Sequence, residues 1–169
     1  MTFPLNNLGV VRKFNGLDII QSQRFNKFHC ATYIDRIIAH HGWEDLKMRK
    51  TPTPMRADHK YQAELQETVG PESPKEKGQL EEQMGFSYCQ AIGELIYAHT
   101  ICRIDISIAI ITLSQFSLRP AEIHYHAVKQ IFAYLNSIKD YRLTYWRQIP
   151  QMDLPLVNNH IITCILSKI

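Results

Sequence analysis

With 169 residues, 45% of them apolar, the chain can bury a real core as one domain or two small ones, which excludes a disordered tail. Its N-terminus, "MTFPLNNLGVVRKFNG", lacks a basic region followed by an apolar stretch, and nowhere do roughly 18 apolar residues run together. Neither secretion nor a membrane partner is expected, and an intracellular location follows. The net charge of +3 is unevenly spread: residues 1–50 carry eight Lys/Arg against four Asp/Glu, 51–84 four against seven, and 85–169 seven against five. The basic first third favours phosphate contacts through counterion release, although a solvated surface accounts for it equally well.

In chain order, "VVRKFNGLDII" from Val10 to Ile20 and "RFNKFHC" after the polar break Gln21–Gln23 read as a β-hairpin. Gly16 then sits within a strand, where glycine marks a bulge or the close approach of another backbone. "TYIDRIIAHHGW" reads as a short amphipathic helix, with Thr32 and Asp35 at capping-box spacing and Ile34, Ile37, Ile38 and His41 on one face. Gly42 suits its left-handed end. Pro52 and Pro54 exclude regular structure in "KTPTPM", and the acidic, Pro- and Gly-bearing stretch that follows reads as a mobile linker over 51–84.

Ser87 and Gln90 open a further helix with Tyr88, Ile92, Leu95 and His99 on one face. Gly93 in its interior costs roughly 1 kcal/mol relative to Ala, so close packing against a neighbour is expected there. Ile106, Ala109, Ile110 and Leu113 then repeat at helical spacing, and Asp105 just before them reads as the cap of that helix, held ionised by free N–H groups and the helix dipole. A last helix follows Pro120, with His124, Ala127, Val128, Ile131 and Leu135 inward and Lys129 and Gln130 outward. The expected fold is α+β and mainly helical: an N-terminal β-hairpin followed by three to four packed helices.

Little chemistry is legible locally. "YIDR" (Tyr33–Arg36) has Arg36 where a two-metal carboxylate pair would need a second acid. His40 and His41 are adjacent and should face apart, while His124 and His126 are two apart, so no metal site is expected. The cysteines Cys30, Cys89, Cys102 and Cys164 contain no C-x-x-C pair, which suggests reduced thiols and neither a zinc knuckle nor a disulfide framework. Cys30 and His29, as strand neighbours, should point to opposite faces and cannot act as nucleophile and base. No Gly-rich phosphate loop, G-x-S-x-G elbow or H-E-x-x-H motif occurs.

The ordered set "FNGLDIIQSQRFNKFHCATYIDRIIAHHGW", "TPTPM", "MGFSYCQAIGELIYAHTICRIDISIAIITLSQFS" and "HYHAVKQIFAYL…LTYW" resembles the pol polyprotein of copia-type LTR retrotransposons, just after the polymerase carboxylates. The likeness covers roughly residues 8–147. It implies the C-terminal part of a reverse transcriptase, an RNA-directed DNA polymerase. On that comparison, 8–50 would hold the primer-positioning hairpin and first helix, 51–84 a linker, 85–147 the helical thumb and connection, and 148–169 a tail without clear resemblance. Arg12, Lys13, Phe14, Asn15 and Gly16 would lie nearest an RNA/DNA duplex, with Gly16 explained by the duplex backbone.

The family's arginine–proline–aspartate–isoleucine motif appears as Arg103, Ile104, Asp105 and Ile106, its proline replaced. The Tyr-x-Asp-Asp palm and the ribonuclease H carboxylates would fall outside the chain. The expectation is therefore a fragment, a truncated or degenerate copy, with no catalytic residue, no metal and no cofactor of its own; Mg2+ belongs to the complete enzyme. Polymerase activity is not expected of it alone. Two alternatives stay open from the residues: a helical protein-interaction module, or an inert pseudogene product.

Overall fold

The structure, a computed structural model, describes residues 10–46 and 53–147, and the backbone of 165–167. The rest of the 148–169 tail, Pro52 and Cys164 lie outside the described residues. The chain is α+β and mainly helical, as expected, but richer in both kinds of element. Strands β1 (Lys13–Phe14), β2 (Leu17–Gln21), β3 (Phe25–His29), β4 (Arg142–Trp146) and β5 (Ile165–Ser167) form one antiparallel sheet in sequence order. Six α-helices lie among the described residues: α1 (Ala31–His41), α2 (His59–Glu67), α3 (Pro74–Met84), α4 (Tyr88–Ile101), α5 (Ser107–Ser114) and α6 (Glu122–Ser137). None is long and apolar enough to cross a membrane.

The expected first strand is itself a hairpin. Asn15 (φ 51°) and Gly16 (φ 81°) both sit in the left-handed region, the signature of a two-residue turn of the primed type, whose twist matches the flanking strands. Gly16 is therefore a turn residue and not a strand-interior bulge. The next turn is tied by Ser22, whose Oγ accepts from the Arg24 and Phe25 N–H groups at 3.2 and 3.1 Å. Register then sorts the faces: Lys13, Asp18 and His29 align across three strands, while Leu17, Phe28 and Leu143 share the opposite face and pack toward the helices. β4 pairs with β3 through Phe28↔Leu143 and Phe25↔Trp146, joining the hairpin to the segment that follows α6.

The helical periodicities hold. Ile34, Ile37 and Ile38 of α1, Tyr88, Ile92 and Leu95 of α4, Ile106 and the α5 residues Ala109, Ile110 and Leu113, and the inward set of α6 are all buried in one core. The expected caps do not. α1 begins at Ala31, before Thr32, and the Thr32 N–H instead donates to Asp18 of β2 at 3.3 Å. At α4 the Ser87 side chain makes no cap bond; Glu81 of α3 accepts from the Tyr88 N–H at 3.1 Å. In both places a carboxylate from another element satisfies the free helix N–H. Gly42 does end α1 in the left-handed conformation (φ 66°). Gly93 has open space where a Cβ would be, so no close neighbour accounts for it.

Where a mobile linker is expected over 51–84, α2 and α3 are formed and docked. Asp58 caps α2 by accepting from the Tyr61 N–H at 2.8 Å, and Pro74 occupies the first turn of α3, where its missing N–H costs nothing. Leu65 is fully buried, and its carbonyl accepts from His124 Nε2 of α6 at 2.9 Å. His124 Nδ1 accepts from the Ala121 N–H at 2.8 Å, which assigns the neutral ring with its proton on Nε2. The acidic surface residues of α2 and α3 conceal a thin apolar face from a composition-based reading.

Candidate nucleic-acid interface

The five hairpin residues named from the sequence are consecutive at one tip. Arg12 through Asn15 are exposed, and Phe14 is 66% exposed, unusual for an aromatic ring at a turn. The tip is anchored: Tyr97 Oη of α4 donates to the Asn15 carbonyl at 2.9 Å. A Cβ on Gly16 would lie 3.0 Å from the same Tyr97 oxygen. Turn geometry and this tyrosine thus both favour glycine, without any approaching duplex. The cations are not equivalent. Lys13 Nζ lies 3.7 Å from Asp18, a carboxylate that also faces His29 at 3.7 Å, so part of its charge is already balanced within the sheet. Beside the tip, Arg12, Asp18, Gln21, His29 and Thr32 line an open groove.

His29 has its imidazole pKa lowered, first by burial and then by Arg142, with Asp18 and Asp140 opposing. It does not activate Cys30. That thiol is buried, and the neighbouring Cys102 thiol together with desolvation pushes its pKa up.

Asp105 is not a cap. The residue preceding α5 is Ile106, no side chain caps that helix, and Asp105 lies in a single 3-10 turn, Ile104–Ile106. Its carboxylate is held by Arg103, with Nε to Oδ1 at 3.0 Å and Nη2 to Oδ2 at 2.7 Å, while Tyr134 Oη donates to Oδ2 at 2.7 Å. Arg103 is fully buried, and its third contact is Nη1 donating to the Ile138 carbonyl at 3.3 Å. A buried guanidinium needs a paired anion, and that demand outweighs a cap that solvent can replace. Burial raises the Asp105 pKa, yet the Arg103 bonds and charge, with the Tyr134 hydroxyl, bring it below the usual carboxylate range overall. The carboxylate therefore locks α6 to the turn before α5 and is not poised for proton transfer.

His40 and His41 do not face apart in effect. Both reach Glu94 of α4: His40 Nδ1 lies 3.3 Å from Oε1, and His41 Nε2 lies 2.7 Å from Oε2. Sequence reasoning missed Tyr97 and Glu94, which lie 82 and 53 positions from the partners they meet. The Asn15–Gly16 dipeptide, by contrast, was a readable hairpin signal.

With the hairpin and its anchor described, comparison with known proteins bears on origin. Over 136 residues, 79% of this chain, the sequence is 29% identical to the retrovirus-related Pol polyprotein from transposon TNT 1-94 of Nicotiana tabacum. The chain is similar to a retrotransposon Pol polyprotein. That similarity supports a retroelement origin, and the chain spans 10% of the length of that polyprotein. A shorter stretch of 60 residues is 35% identical to the secreted RxLR effector protein 161 of Plasmopara viticola, covering 36% of this chain and 42% of that protein. No family model and no solved structure matches.

Proposed function

We propose that this Pol-like chain corresponds to the reverse-transcriptase segment that follows the polymerase carboxylates, and that its hairpin tip binds the backbone of a nucleic-acid duplex. One observation carries the reading. Arg12, Lys13 and an exposed Phe14 project from a tight turn that Tyr97 bonds to α4, so cations and a ring are presented on a rigid support. Cations meeting phosphates give binding that is salt-sensitive and indifferent to base sequence, because no set of base-reading side chains accompanies them. Phe14 can add stacking or sugar contact.

The test is duplex affinity by fluorescence anisotropy at several salt concentrations, for wild type and the double variant Arg12→Ala/Lys13→Ala. The double variant should flatten the slope of log affinity against log salt by about 1 to 2, the lower value reflecting the share of Lys13 that Asp18 already balances. No binding at low salt, or an unchanged slope, sinks the proposal. A second reading, a helical interaction module, draws on the exposed Ile104, Ile108 and Ile111, an apolar strip along the outer side of α5 and the turn before it. A module of that kind would leave duplex binding absent or insensitive to the hairpin cations.

A further inference from the structure

The junction of α1 and α4 brings together two imidazoles and one carboxylate. The ligand atoms of His40, His41 and Glu94 all lie within 4.8 Å of one another. Bonds of about 2.0–2.1 Å in a tetrahedral zinc site set neighbouring ligand atoms about 3.3 Å apart. His40 Nδ1 lies 3.3 Å from one Glu94 oxygen and His41 Nε2 2.7 Å from the other, and side-chain rotation must bring the set, now spread over as much as 4.8 Å, together around one ion. Adjacent histidines converge because they use different nitrogens. Nδ1 of His40 lies near its backbone, whereas Nε2 of His41 reaches from the far side of its ring, and this offsets the turn between neighbouring residues.

The surroundings hold the three groups in place. The His41 side chain is almost wholly buried, stacked on Trp43 with ring centres 4.3 Å apart and flanked edge-on by Phe86 and Phe132. Glu94 is steadied by Gln90, whose Nε2 donates to Oε1 at 3.3 Å, and its own carbonyl accepts from Tyr33 Oη at 3.1 Å. Such outer partners orient metal ligands and fix their rings. The site is also at the carboxyl end of α1, where the negative end of the helix dipole favours a cation.

We infer that His40 Nδ1, His41 Nε2 and Glu94 form a binding site for a divalent transition metal of the zinc class, with a fourth position left to water. Imidazole with carboxylate suits Zn2+, Ni2+ and Cu2+, and not Mg2+. On binding, the proton that His41 Nε2 shares with Glu94 moves to Nδ1 or leaves to buffer.

The test uses the full chain with Zn2+ and Ni2+ as probes. Calorimetry should give one equivalent of Zn2+, with a heat that depends on the buffer if the proton is released. Ni2+ should quench Trp43, which stacks on a ligand, and excess Zn2+ should relieve the quenching. His40→Ala changes a half-exposed side chain and should preserve the fold, as judged by circular dichroism, while weakening both signals by about tenfold or more. Glu94→Gln should do the same. Unchanged affinity in His40→Ala would assign the metal to other histidines and overturn the inference. So would the lack of any saturable Zn2+ binding by wild type.

Discussion

Replacing Asp105 by asparagine separates two accounts of that residue by a measurable margin. Asparagine caps helices about as well as aspartate, so a cap would tolerate the change to within about 1 kcal/mol. The structure demands more. Arg103 is fully buried and donates two of its hydrogen bonds to the Asp105 carboxylate and a third to the Ile138 carbonyl. Asp105→Asn removes the countercharge, turns one acceptor into a donor facing a guanidinium or the Tyr134 hydroxyl, and leaves a positive charge in the core. Removing one partner of a buried pair costs about 3–5 kcal/mol, a large part of the roughly 5–15 kcal/mol that holds a domain together.

At about 2–4 °C per kcal/mol for a chain of this size, the melting temperature should fall by about 6–20 °C. Urea unfolding followed by circular dichroism gives the free energy directly. The paired change Arg103→Met/Asp105→Leu should restore much of the loss, because it removes both charges together. The pair also sets a pH window. With the folded carboxyl pKa lowered, its contribution is complete above the unfolded value of about 3.9 and is lost as pH falls through the folded value. An Asp105→Asn protein within about 1 kcal/mol of wild type would refute the ion-pair account and return Asp105 to capping.

Gly93→Ala should stabilise the chain by about 0.5–1 kcal/mol, since α4 is helical there and the new methyl meets open space; a loss in urea midpoint would contradict that. Gly70→Ala should destabilise by about 1–3 kcal/mol, because its Cβ would fall 2.2 Å from the Pro120 carbonyl oxygen, a backbone atom that cannot swing away. Thermal melts of the two alanine variants should therefore move in opposite directions. Burial lowers the His124 pKa, with the bond to the Leu65 carbonyl opposing, so the unfolded chain takes up a proton near pH 6.5 that the folded chain refuses. Stability should therefore fall as pH drops below about 6.5, and the α2 amides should lose hydrogen-exchange protection in step; protection independent of pH would show that His124 does not hold α2.

Sequence by itself determined those features whose causes act within a few residues. Apolar spacing over three or four positions located the buried faces of α1, α4, α5 and α6, because a helix repeats every 3.6 residues whatever it packs against. Gly42 could be assigned to a left-handed helix end on conformational grounds alone. The hairpin of Leu17–Gln21 with Phe25–His29 was likewise legible, with its turn at the polar break as read, whereas the additional primed turn at Asn15–Gly16, marked by two positive φ values, was not read. α2 and α3 had readable starts in Asp58 and in Ser73–Pro74, but their weak apolar faces matter only once His124 and the core are present to receive them.

The candidate sites belong to the tertiary structure. Which partner holds Asp105 depended on Arg103 being buried by α6, and nothing in "CRIDIS" distinguishes a cap from an ion pair until that burial is known. β4 joined the sheet only because the chain's return brought Leu143 beside Phe28. His40 and His41 meet Glu94 across 53 or more positions, through the packing angle of α1 on α4 and the choice of ring nitrogen. Local pattern limits what each segment can become, whereas the meeting of charged groups far apart in sequence is set by how the segments pack, because only packing removes the water that would otherwise satisfy each group alone.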